Sequence, residues 1–142
     1  MRIAVDFDGT IVEHQYPDIG EEKLFAFDTL KTLQKYHCVL ILWTFRTGEK
    51  LEEAVDFCKK HGLEFYAVNK NYPEEVFDEN TVSRKIDADV YIDDRNVGGF
   101  PGWSRIWEIL APQLGADPYI QSEKTIKTKK RSPLLKRILK KS

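Results

Sequence analysis

The chain has 142 residues, 42% apolar and 32% charged, which suits one globular domain with one core. No apolar run is long enough to cross a bilayer, and acids close behind Met1 leave no secretory stretch, so a cytoplasmic protein is expected. The net charge of −1 hides an asymmetry: residues 124–142 carry nine Lys/Arg and no acid, and residues 1–123 carry 13 bases against 23 acids, a net of −10.

Residues 2–7 form an apolar run, with Ile3, Ala4, Val5 and Phe7, that ends in acids and Gly9. This predicts a buried strand running into a turn. Residues 11–20, with Pro17 and Gly20, read as a loop or short hairpin. From Glu21 to about Tyr36, Leu24, Phe27, Leu30 and Leu33 recur at helical spacing, with acids in the first turn and a base in the last. Residues 38–43 predict a second buried strand that ends at Thr44. A helix follows from Glu49 to His61, with Leu51, Ala54, Val55 and Cys58 on one face and Gly62 as its stop. Residues 63–68 read as a third strand. A loop containing Asn69, Asn71 and Pro73 comes next, followed by a short acidic helix. Residues 88–92 read as a fourth strand, ending at Asp93-Asp94. A Gly-rich loop at 98–102 then leads into a helix carrying Trp103, Ile106, Trp107 and Leu110. Cys38 and Cys58 read as reduced core thiols, and no His/Cys cluster suggests zinc or iron.

Apolar strands alternating with amphipathic helices predict an α/β fold, a parallel sheet with helices on both faces. The reactive edge of such a sheet is the carboxyl end of its strands. Asp6 and Asp8 fall there after the first strand, Thr44 after the second, and Asp93 and Asp94 after the fourth. Four carboxylates on one edge repel one another unless a cation sits among them, and hard oxygen ligands suit Mg2+. Asp6 can attack phosphorus as a carboxylate nucleophile. Asp8, on the same face of the strand, can protonate the leaving oxygen and then activate water, a gain of roughly 10²–10⁴. Gly9 permits a tight turn, and Thr10 can order it. Thr44 offers a hydroxyl to a phosphoryl oxygen. Lys85 can neutralise the nucleophile and developing charge, with Arg84 its rival. Arg46 and Arg95 are candidates for binding substrate anions.

With these residues in this order, the chain resembles the haloacid dehalogenase-like (HAD) hydrolase superfamily. Asp6-Phe7-Asp8-Gly9-Thr10 is similar to its first motif, Thr44 to its second, Lys85 to its third and Asp93-Asp94 to its fourth. The resemblance implies a three-layer Rossmann-like fold. It also implies a magnesium ion held by Asp6, the backbone carbonyl of Asp8 and the fourth motif, with Asp93 as direct ligand and Asp94 behind it or in its place. Asp8 argues for phosphoryl transfer over dehalogenation, because a departing halide needs no proton. No segment is long enough for a cap domain. Such an open site implies a large substrate, or a neighbouring subunit of a homo-oligomer as lid. The family's fifth strand is placed at residues 115–121.

The resulting expectation is a phosphatase domain over residues 1–123, a magnesium-dependent phosphomonoester hydrolase, followed by a basic tail over 124–142. Leu134, Leu135, Ile138 and Leu139 in that tail fall on one face of a possible helix ringed by Lys and Arg, which suits nucleic acid, an anionic membrane, a subunit or the sheet itself. Two alternatives accompany this: a polynucleotide or phosphoprotein phosphatase, and a non-catalytic adaptor that binds through the tail.

Overall fold

The structure is a computed structural model describing residues 1–119. The chain divides into two compact units, Met1–Ser104 and Arg105–Ser142. The first holds a four-stranded parallel sheet: β1 (Arg2–Val5), β2 (Val39–Leu42), β3 (Ala67–Val68) and β4 (Val90–Ile92), in the order β3-β2-β1-β4. This is an α/β fold. Helix α1 (Ala26–Lys35) links β1 to β2, and α2 (Gly48–Lys60) links β2 to β3. The third helix, α3, spans Trp103–Leu110.

The two central strands are apolar because both of their faces are covered. Ile3, Ala4 and Val5 of β1 and Leu40, Ile41 and Leu42 of β2 are all buried. Their register pairs Ala4 with Ile41 and Tyr91, and Ile41 with Ala67. These four therefore share one face, where Ile86, Ala88, Val39 and Trp43 also pack. Elsewhere Phe57 of α2 meets the rings of Phe7 and of Phe27 from α1, at 6.1 and 6.0 Å between centroids. Burying each of these large side chains contributes about 1.5–3 kcal/mol. Cys38 and Cys58 are buried free thiols, as expected, and burial pushes the Cys58 pKa up to about 12.

Helix α1 starts at Ala26, five residues later than its apolar spacing suggests. Lys23 N–H donates to the Ile11 carbonyl, Val12 bridges Glu22, and Phe25 adopts φ 65°. That left-handed residue stops backward extension of the helix, so Leu24 is exposed. The same contacts make residues 11–23 a short hairpin. Gly20 is required in it, because a Cβ there would lie 2.1 Å from the Glu13 carbonyl oxygen. The acidic helix expected after Pro73 is a set of turns. Beyond Ser104, the chain completes α3, forms a 3-10 helix (Ala111–Leu114) and turns at Gly115. Residues 115–119 are turn and coil in place of the fifth strand, and 120–121 lie outside the described residues, as does the basic tail. Among the described residues, no helix is long and apolar enough to cross a membrane.

Candidate active site

Three of the strand ends open on one cleft of about 440 Å³, lined by Asp6, Asp8, His14, Tyr16, Thr44, Phe45, Arg46, Asp93 and Arg95. Asp6 N–H donates to the Ile92 carbonyl and Trp43 N–H to the Val5 carbonyl, so the chains leaving β1 and β2 stay in sheet register just beyond the strands. Phe7 is buried against α2, while Asp6 and Asp8 on either side of it line the cleft. The alternation of a strand thus persists just past β1.

The next turn arranges the acids. Gly9, at φ 82°, donates its N–H to the Val12 carbonyl, and the amides of Thr10 and Ile11 return to the Phe7 carbonyl. Thr10 is buried, and its hydroxyl does not line the cleft. It lies 3.1 Å from Asp6 Oδ2 and 3.4 Å from Asp94 Oδ1, and accepts from the Asp94 N–H at 3.1 Å. Trp103 anchors the same turn by donating its indole N–H to the Thr10 carbonyl at 2.8 Å. Gly9 and Thr10 therefore order the acids. Gly9→Ala is expected to disturb them directly, since its Cβ would lie 2.1 Å from Asp94 Oδ2 and the positive φ adds strain. A loss of about 1–3 kcal/mol in stability is the expected outcome by thermal melting. A melting midpoint equal to that of wild type would contradict the placement of Asp94 against Gly9.

Asp6, Asp93 and Asp94 each offer a carboxylate oxygen within 4.8 Å of the other two. All three are half-buried, and among the described residues none of them forms an ion pair. Burial, the Asp93 charge and the Asp94 hydrogen bond together push the Asp6 pKa up to about 7, against the opposing Phe7 and Thr10 donors. A group of this kind needs a proton or a cation to be stable near neutral pH. Three hard oxygen donors on one open edge fit a divalent cation with water completing its shell.

Asp8 is held differently. Arg46 Nε and Nη2 reach its two oxygens at 2.7 and 2.8 Å, a bidentate pair. Arg46 is itself buried, donates to the carbonyls of Asp18, Pro17 and Lys50, and lies 5.2 Å from the ring centroids of Phe7 and Tyr16. The guanidinium thus ties Asp8 to the hairpin and to α2, which is a different task from the anion binding expected of it. Thr44 faces the cleft, with its N–H donating to Asn69 Oδ1 and its hydroxyl accepting from Arg46 N–H.

Arg95 lines the cleft with its guanidinium 5.5 Å from the Phe45 ring centroid, and forms no ion pair among the described residues. Lys85 is not brought to the cleft. Ile86 is drawn into the sheet face, and exposed Lys85 places its ammonium 4.9 Å from the Tyr91 ring centroid. Arg84, its rival, lies over Phe77. The parts that sequence reasoning missed are the Asp8–Arg46 clamp and the Trp103 anchor. They join residues 38 and 93 positions apart, and no local pattern signals either.

No family model and no curated protein matches the chain. Among solved structures, a conserved protein from Bacteroides thetaiotaomicron matches at a TM-score of 0.75 with 58% sequence identity, covering 80% of this chain and 91% of that one. Identity at that level over nearly the whole of the other protein means that this chain belongs to the same family as the conserved Bacteroides thetaiotaomicron protein.

Proposed function

We propose that the chain is a magnesium-dependent phosphomonoester hydrolase of the HAD type, with Asp6 as its nucleophile. The observation that carries this reading is the convergence of Asp6 and Asp8 on one cleft, with the Asp93 and Asp94 carboxylates beside Asp6. On this reading the fold is three-layered and capless. The β3–β4 connection, residues 69–89, has no helix or strand, and the β1–α1 connection is a short hairpin. Two buried free thiols suit a reducing cytoplasm. The adaptor alternative rests on a tail outside the described residues.

Asp6, Asp93 and Asp94 would hold the magnesium ion, which supplies positive charge to the phosphoryl oxygens. The chain's own residues do the rest. An Asp6 oxygen attacks phosphorus, and the bond from phosphorus to the ester oxygen breaks. Asp8, charged in its pair with Arg46 in the resting protein, takes up a proton as the ester binds and gives it to that oxygen. Asp8 then takes a proton from water, whose oxygen attacks the aspartyl-phosphate and releases Asp6 and phosphate. Arg46 fixes the plane of Asp8 through one lone pair on each oxygen and leaves the others for the proton. Thr44 and Arg95 line the cleft, and on this reading they meet phosphoryl oxygens.

Asp8→Asn tests this assignment. With an aryl phosphate and Mg2+, the variant is expected to turn over roughly 10²- to 10⁴-fold more slowly and to accumulate protein heavier by one phosphoryl group in intact-mass spectra. Turnover equal to wild type would remove Asp8 from the chemistry.

A further inference from the structure

The walls of the cleft carry more apolar ring surface than phosphate binding requires. Phe45 follows Thr44 directly, lines the cleft and is 87% exposed. Tyr16, from the hairpin, lines the same cleft and is 55% exposed. A single exposed aromatic is ordinary. Two at the mouth of an acidic cleft, each beside a guanidinium, form a stacking surface. Arg95 covers only part of the Phe45 ring, so ring face remains open. Aromatic faces and guanidinium planes both stack on flat π-systems. The cleft also exceeds what a phosphate group fills, since about 440 Å³ is within the range of small-molecule sites.

We infer that this cleft selects phosphomonoesters whose leaving group carries a planar aromatic ring, seated on Phe45 beside Arg95. The inference rests on the phosphatase reading and deepens it by naming the substrate class. A glycerol or plain sugar phosphate would reach the acids but leave both rings in water. A nucleobase or a simple arene would cover them. Tyr16 packs over Arg46, which grips Asp8, so a ring filling the cleft mouth touches the hairpin that Arg46 ties to Asp8.

AMP and ribose 5-phosphate isolate the ring, because both release the same kind of primary alkoxide and differ in the base. For the full-length protein with Mg2+, kcat/KM is expected to favour AMP about tenfold. Phe45→Ala should bring that ratio to within about threefold of unity, and Phe45→Trp should preserve it. A wild-type ratio of one, or a ratio that Phe45→Ala leaves unchanged, overturns the inference. Calorimetric binding to the full-length Asp6→Asn variant gives a readout independent of turnover. There AMP should bind more tightly than ribose 5-phosphate, or phenyl phosphate more tightly than inorganic phosphate, and whichever pair shows the gap identifies the ring as base or arene. If wild type hydrolyses no ester, the phosphatase reading fails, and these binding ratios still decide the ring preference. No gap in either pair contradicts it.

Discussion

Arg46→Ala is expected to lower stability by about 3–5 kcal/mol, the usual cost of removing one partner from a buried ion pair. The side chains of Arg46 and Asp8 are only 1% and 13% exposed, so water cannot take over the lost contacts. The substitution strands the Asp8 charge, frees the carbonyls of Pro17, Asp18 and Lys50, and empties the space between Phe7 and Tyr16. Thermal melting should show a fall of roughly 10–20 °C. Arg46→Lys keeps a charge but lacks the planar fork, and should fall in between. A midpoint within a degree or two of wild type for Arg46→Ala would show that the clamp contributes little.

Asp6 is expected to make the metal-stripped protein less stable as pH rises from about 4 to about 7. Its folded pKa, about 7, lies above its ordinary value of 3.8. Between those limits the folded state therefore holds more of the proton than the unfolded state. Stability falls where the native state binds more protons, so it declines through this window, and the full penalty stands above it. The magnitude is of order 2–4 kcal/mol. Asp6→Asn keeps the shape and removes the charge. In EDTA at pH 8 the variant should melt above wild type, and near pH 4 the two should converge. Saturating Mg2+ at pH 8 should raise wild type far more than the variant. A wild-type advantage in EDTA at pH 8 would contradict the electrostatics assigned to Asp6, Asp93 and Asp94.

Where the strands end was legible because β1 and β2 are buried on both faces and read as unbroken apolar runs. Asp6 and Asp8 fell just past β1 and Thr44 just past β2, Asp93 followed β4, and the structure brings all four to one cleft. The start of α1 was not legible. Leu24 continues the helical stripe in sequence, but hairpin bonds and the left-handed Phe25 decide that boundary, and they depend on Ile11 and Val12 across the chain. Arg46 read as an anion ligand because an arginine beside a reactive strand end shows its charge and conceals its partner. Lys85 read as part of the site from its position before β4. Its direction is set by Ile86 packing into the sheet, which spacing does not encode. The hydrogen bond of Trp103 was not legible, since its partner is a backbone carbonyl 93 positions away.

Release of phosphate from a generic aryl phosphate, with and without Mg2+, compared between wild type and Asp6→Asn, is the most direct measurement of the assigned chemistry. Magnesium-dependent release by wild type and none by Asp6→Asn is the predicted result. Release that is equal in the two proteins, or absent from wild type across aryl, nucleotide and sugar phosphates, would contradict a phosphatase nucleophile at Asp6.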